Sequence, residues 1–158
     1  MFLVSAAAYS HTQIGYGSLI GTAAGCIALI VAALFLEATG RQLPRGRVIG
    51  GFAIAIVLLL ATGATFSRMT IAVGNGSLTW NFALGLLRHD VPLTRIADAS
   101  VVQNTSAEGF GIHNTSDGTL YNVAGSWSIR LRLDDGSSVR LGTDEPAVLL
   151  RAIQASKP

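Results

Sequence analysis

The chain has 158 residues, half of them hydrophobic and only 13% charged, where soluble domains carry about 25%, and its mean hydropathy is +0.50. That balance excludes a disordered chain and argues against an ordinary soluble enzyme. The net charge of +2 arises before residue 68: from there on Arg68, Arg88, Arg95, Arg130, Arg132, Arg140, Arg151 and Lys157 balance Asp90, Asp98, Glu108, Asp117, Asp134, Asp135, Asp144 and Glu145, so nucleic acid, which needs a clustered basic face, is not an expected partner.

Ile14 to Leu36 and Val48 to Phe66 are free of charged residues, and each is long enough to cross about 30 Å of hydrocarbon at about 1.5 Å per residue. They predict two transmembrane helices, spans about 14–36 and 48–66, joined by a polar connector, 37–47, that holds Arg41, Arg45 and Arg47. A cleavable signal peptide matches the first run less well, because no Lys or Arg precedes it and it exceeds an apolar core of about 7–15 residues. Gly17, Gly21 and Gly25 lie four apart and form a small-residue stripe on one face of the first helix. Such a stripe predicts close packing within the hairpin or against another helix, in a homo-oligomer or a partner. On that basis Gly21→Ile is expected to force helices apart. The spans carry no interior ionisable group, which argues against an ion or proton pathway. The Arg excess of the connector predicts that it is cytoplasmic and that both termini lie outside, in a two-span protein of a bacterial cytoplasmic membrane.

After Phe66 the pattern changes to short β-type runs punctuated by Gly, Asn and Asp. The predicted organisation is therefore a helical hairpin over 1–66 and a β domain over 67–158. Met69–Val73 and Ser77–Ala83 flank an Asn75-Gly76 hairpin turn, Leu86–Val91 and Ala97–Gln103 follow, and Asp117-Gly118 marks a second tight turn. Trp127, Ile129, Leu131 and Leu133 alternate with polar residues, and so do Val139 and Leu141. Keeping the apolar residues on one face pairs Leu133 with Ser137 across Asp134-Asp135-Gly136, Leu131 with Val139, and Arg130 with Arg140. Two like charges so opposed need an acidic neighbour, such as Asp134 or a carboxylate on another strand, or an anionic ligand. Arg130, Arg132 and Arg140 are accordingly the candidate contacts for an anion or partner. A helix closes the chain, capped by Thr143 or Asp144, with Pro146 in its first turn and Leu149, Leu150 and Ile153 on its apolar face. The domain reads as seven or so strands and one helix.

Several stretches carry a resemblance. LTWNFALGLLRHDVPLTRIADASVV is similar to a strand, glycine turn, strand and "I-P-L-x-x-I" connection, read here as Val91-Pro92-Leu93-Thr94-Arg95-Ile96. GFGIHNTSDGTLYNVAG resembles a glycine-rich hairpin, and VRLGTDEPAVLLRAI resembles a closing strand and helix with a "G-T-x-x-P" step at Gly142, Thr143 and Pro146. Over roughly residues 69–155 the chain resembles the bacterial pleckstrin-homology-like (PH) domain family, in a membrane-anchored branch with a two-helix hairpin. The resemblance implies an α+β membrane protein with a partly open antiparallel β-barrel capped by a C-terminal helix, a shape used to bind peptides, proteins or lipid headgroups. The neutral domain departs from the basic pocket of inositide-binding members.

No catalytic, cofactor or metal site is predicted. His11, His89 and His113 lack metal-ligand spacing, no G-x-S-x-G elbow occurs, and Gly109-Phe110-Gly111 lacks the Lys-Ser/Thr of a phosphate loop. The expected function is a non-enzymatic membrane-anchored interaction module, with the lipid bilayer and a protein or peptide partner, or a second copy, as its contacts. The alternatives are a sensor of anionic lipid headgroups and an accessory subunit of a membrane enzyme complex.

Overall fold

The computed structural model describes residues 9–39, 45–105 and 108–157; Arg41 of the connector lies outside them. The elements in chain order are β1 (Tyr9–Ile14), α1 (Tyr16–Ala38), α2 (Arg45–Thr65), β2 (Arg68–Gly74), β3 (Ser77–Phe82), β4 (His89–Pro92), β5 (Ile96–Gln103), β6 (Gly111–Thr115), β7 (Gly118–Asn122), β8 (Trp127–Leu133), β9 (Ser138–Thr143) and α3 (Pro146–Ser156).

β1 to β4 form one sheet in sequence order, and β5-β8-β9-β7-β6 form the other. In the first sheet, Met69, Ile71 and Val73 of β2 lie opposite Phe82, Trp80 and Leu78 of β3, and all six are buried. They face Ile129, Leu131, Leu133 and Leu141 of the second sheet in one core that Leu149 and Ile153 of α3 complete. Period-two alternation on both sheets thus produces a sandwich-like core. Tyr121 bridges the sheets at one side, its ring 5.3 Å from that of Trp80 and 4.7 Å from that of His89.

Three predicted features appear as expected. Asn75 and Gly76 both take positive φ, 52° and 76°, as a two-residue hairpin turn requires. Leu133 N–H donates to the Ser137 carbonyl at 2.8 Å around a loop in which Gly136 has φ +83°. Arg130 and Leu131 then pair with Arg140 and Val139.

Four features differ. The first is β1, six residues that precede the first long helix and pair antiparallel with β2, from Tyr9↔Val73 to Ile14↔Arg68. The β domain therefore takes a strand from each side of the hairpin and does not begin at residue 67. Its inward positions are Tyr9, His11 and Gln13, so the strand has no hydrophobic alternation to betray it. Two of their polar groups find partners across the fold: Gln13 Nε2 donates to the Gly142 carbonyl at 2.6 Å, and His11 Nε2 lies 2.8 Å from Asp144 Oδ1. Burial beside Glu145 and Asp144 pushes the Tyr9 hydroxyl up to about 12.

The second is that β7 and β9 are parallel, so the sheet is mixed rather than wholly antiparallel, and the two sheets do not close into a barrel. The chain leaves β7 and skips one strand position before β8; β9, returning from β8 through a tight loop, fills the gap running alongside β7. Glycine permits this close approach, since a Cβ on Gly118 would collide with the Ser138 carbonyl and one on Gly142 with the Asn122 side chain. The third is that Leu86–Val91 is not one strand: β4 starts only at His89, and Leu86 and Leu87 are exposed.

The fourth concerns the glycine stripe. Both long helices are apolar along their length and carry their side chains outward, with no buried residue in α1. Only part of the stripe packs the hairpin. A Cβ on Gly25 would come within 2.7 Å of Leu59 on α2, one on Gly17 within 2.5 Å of the Phe110 ring from the β domain, and one on Gly21 would meet nothing within 4 Å. Gly63 of α2, which faces Thr22, is the second close contact within the hairpin. The spacing of four did not separate these roles, because successive stripe positions meet different elements.

Gly25→Ile and Gly63→Leu are therefore expected to destabilise the detergent-solubilised protein by overpacking, by about 1–3 kcal/mol, while Gly21→Ile leaves the thermal midpoint unchanged. Thermal unfolding followed by circular dichroism checks the order, and an equal loss for Gly21→Ile would refute it.

Candidate functional site

The three arginines of the sequence prediction stand on or beside the outer face of β8 and β9, where the register alone sets Arg130 against Arg140. The fold gives them different fates. Arg140 is buried, 4% exposed, because residues after β5 fold over it. Its guanidinium is held in a fork by Glu108, with Nη1 on Oε1 and Nη2 3.2 Å from Oε2, and Nη2 donates to Asn104 Oδ1 at 2.8 Å. Ser128 donates its hydroxyl to the same Asn104 oxygen. The Thr105 backbone N–H, donating at 2.7 Å, and then Arg140 hold the Glu108 carboxyl below its ordinary value. Arg140 is thus a structural cation with its anion built in, and no free partner contact.

Arg130 and Arg132 remain at the surface. Arg130 reaches Asp117 and Ser100, each only at 3.5 Å, and Arg132 reaches Asp98 at 3.6 Å. Ion pairs this long and exposed are worth about 0–1 kcal/mol, so both guanidiniums are available to a stronger anion. The like-charge problem of the register is relieved by carboxylates, as one of the two expectations had it. The acids are Glu108 and Asp117; Asp134, with Asp135, is taken by Arg95 instead.

Arg130 and Arg132 line a groove of about 330 Å³ with Ser116, Asp117, Gly118, Gly136 and Ser138. That volume is at the low end of small-molecule sites. Two guanidiniums two residues apart on one strand face, with serines opposite, suit a carboxylate or phosphate oxygen. Asp117 on the wall opposes a second negative charge. The groove's position matters as much as its chemistry. The turns at 116–117 and 134–136 lie at the end of β8 and β9 away from the helices, while the other end, at Gly142 and Val123, contacts Gln13 and Gly15 just before α1.

The side chains of His89 and His113 serve locally, His89 stacked on Trp80 and His113 within 2.6 Å of the Phe110 carbonyl. Among the described residues no group of three or more His, Cys, Asp or Glu is placed to hold a metal. Sequence reasoning missed Glu108 and Asn104; both lie in an irregular segment after β5, where no periodicity announces a contact across 32 or 36 positions. The motif residues of the PH-like resemblance have structural roles: Leu93 and Ile96 are buried, and the Thr143 hydroxyl accepts the Glu145 N–H at 3.0 Å before Pro146 opens α3. No protein-family description, curated protein or solved structure matches the chain.

The arginines should separate on mutation. Glu108→Ala strands a buried guanidinium and is expected to cost about 3–5 kcal/mol, with much of this recovered in the double variant Glu108→Leu/Arg140→Met, whereas Arg132→Ala changes stability by less than about 1 kcal/mol. Denaturant unfolding of the three proteins checks this. Because the Glu108 carboxyl titrates below its ordinary value, its contribution is complete above the ordinary carboxyl range near 4.5 and is lost as pH falls through the lowered native value. The acid limb of a stability–pH curve should therefore flatten in Glu108→Gln.

Proposed function

We propose that the protein is a non-enzymatic, membrane-anchored interaction module: α1 and α2 span a bilayer, and the β domain, of PH-like type, binds an extended segment of a protein partner. The observation that carries this reading is the way the hairpin joins the domain. Two helices of 23 and 21 residues, apolar and facing outward, leave and re-enter the same sheet with one residue, Gly15, between β1 and α1 and two, Phe66 and Ser67, between α2 and β2. In water such surfaces would be an aggregation site; in hydrocarbon every helical backbone group is satisfied and the apolar faces are matched. A core helix of a soluble domain would be buried, and these are not. Removal of the first helix as a signal peptide would take β1 out of its sheet.

The binding edge follows from the topology. An exposed edge strand offers a row of backbone groups to a strand from another chain. β5 lies under α3, β4 has four residues and ends on Pro92, and β1 runs through Gly15 straight into α1, at the membrane end of the domain. β6, the other end of the second sheet, has Ile112, His113 and Asn114 exposed in succession. In its two-residue hairpin Thr115 and Gly118 form the hydrogen-bonded pair, so alternation turns the backbone groups of Ile112 and Asn114 outward. The second reading, an anion sensor, rests on Arg130 and Arg132 alone, and the groove's distance from the helices points to an anion other than a headgroup of the same bilayer. The connector's arginines support a cytoplasmic connector with the β domain on the opposite side.

A photo-crosslinking residue at Asn114 in native membranes is expected to give an adduct of one defined mass, absent with the same residue at Asn75, and lost in Ile112→Pro, which removes an outward donor without touching the β6–β7 ladder. An adduct indifferent to the proline, or none, would remove the edge from consideration. For sidedness, single cysteines at Ser137 and Gly46 in a Cys26→Ala background are treated with an impermeant thiol reagent. Ser137 is expected to label in intact cells and Gly46 only after permeabilisation.

A further inference from the structure

We infer that the β domain does not stand clear of the membrane on its hairpin: the end from which the helices leave is itself seated in the bilayer interface, through exposed apolar side chains of four separate segments. The inference rests on the reading of α1 and α2 as membrane spans and adds to it a surface of the domain, with lipid as its partner.

The strand pairings sort the connections of the domain to two ends. At the helix end lie the β1–α1 and α2–β2 joints, the β3–β4 connection, the segment leading into β6 and the β7–β8 connection. At the opposite end lie the turns at 75–76, 116–117 and 134–137 and the β4–β5 connection, whose Leu93 is buried. Apart from Val101, Ile112 and Val148, which lie within β5, β6 and α3, the exposed large apolar residues of the domain follow this division. Ile14, Tyr16, Leu86, Leu87, Phe110 and Trp127 are 43–66% exposed, and all six are at the helix end. Among the described residues the turns of the opposite end hold none; they present Asn75, Ser116, Asp117, Asp134, Asp135 and Ser137. A fold that merely tolerated surface hydrophobes would scatter them over both ends.

The depth of these residues is set by contacts with the helices. The Phe110 ring lies over Gly17, in the first turn of α1, and the short helical turn Ala83–Gly85 before Leu86 touches α2. With 23 residues, α1 is about 34 Å long, slightly more than about 30 Å of hydrocarbon, so a ring at the level of Gly17 stands at the boundary between acyl chains and headgroups. Trp and Tyr favour that zone. Leu87 also has φ +50°, a left-handed conformation that L side chains disfavour, and so directs an apolar side chain away from the core. Arg68 and Arg88, exposed at the same end, are placed to reach headgroups while their stems lie along the apolar surface. The acids there have partners within the domain, Asp144 and Glu145 beside His11 at the surface and Glu108 on the buried Arg140.

The test uses the full chain, one copy per nanodisc of phosphatidylcholine and phosphatidylglycerol, with nitroxides at Leu86→Cys, Trp127→Cys, Leu58→Cys and Ser116→Cys in the Cys26→Ala background. Collision rates with oxygen and with an aqueous nickel chelate report depth. Leu58, in the middle of α2, is expected to be lipid-buried and Ser116 aqueous, with Leu86 and Trp127 several-fold less accessible to nickel than Ser116 and less accessible to oxygen than Leu58. If Leu58 is lipid-buried while Leu86 and Trp127 behave like Ser116, the seated surface is overturned and the spanning helices stand. If Leu58 also behaves like Ser116, both fall. Apart from the scaffold belt at the rim the discs hold no other protein, and the same depths in belt-free liposomes of the same lipids exclude shielding by the belt.

Discussion

The pairing of β1 with β2 is the constraint on which the rest of the structure depends. Six residue pairs, from Tyr9↔Val73 to Ile14↔Arg68, are extended by a hydrogen bond of 2.8 Å from the Gly15 N–H to the Ser67 carbonyl. The chain therefore departs from and returns to adjacent positions of one sheet. Two helices leaving such neighbouring points must run antiparallel side by side, and their contacts, Thr22 with Gly63 and Gly25 with Leu59, continue the same register. There is no room for a flexible linker: a Cβ at Gly15 would come within 2.6 Å of the Phe66 carbonyl. The orientation of the hairpin relative to the domain is thereby a property of backbone hydrogen bonding, and a partner bound at a sheet edge would be held at a set geometry to the helices.

Charge is distributed to match. Arg140 and Glu108, the buried ion pair, neutralise each other where the second sheet is covered, and the fork geometry with Asn104 satisfies most of the donors that burial would otherwise strand. Arg95 is shared between Asp134 and Asp135, which raises its already high value, while hydrogen bonds from the Ser137 hydroxyl and N–H, and then Arg95, hold the Asp135 carboxyl below its ordinary value. What is left at the surface of the second sheet is the loosely paired couple Arg130 and Arg132. A neutral domain can in this way present one local basic groove without a basic face.

Much of the architecture was legible in the residues, for identifiable reasons. The long helices are set by uncharged runs whose length has few other uses. The β8–β9 hairpin was readable to the residue, because alternation fixes which side chains face the core and Asp134-Asp135-Gly136 fixes the loop. The closing helix was readable from Thr143, Pro146 and the spacing of Leu149 and Ile153. β1 was not readable, since its inward residues are polar and find partners 129 or more positions away, in Gly142, Asp144 and Glu145. Leu86 and Leu87 misled in the opposite sense: apolar residues in a strand-like run were read as sheet, whereas they lie outside it.

Local sequence thus determined the helix pair, most strand positions and the opposition of Arg130 to Arg140, all of which follow from period, turn chemistry and length over a few residues. Only the tertiary structure decided that the N-terminal strand completes the first sheet, that β7 and β9 run parallel, that the stripe glycines meet three different surroundings, and that one of three similar arginines is buried while two stay at the surface in long ion pairs. Each of these depends on which distant backbone arrives beside a residue, and the chain's local pattern carries no record of that arrival.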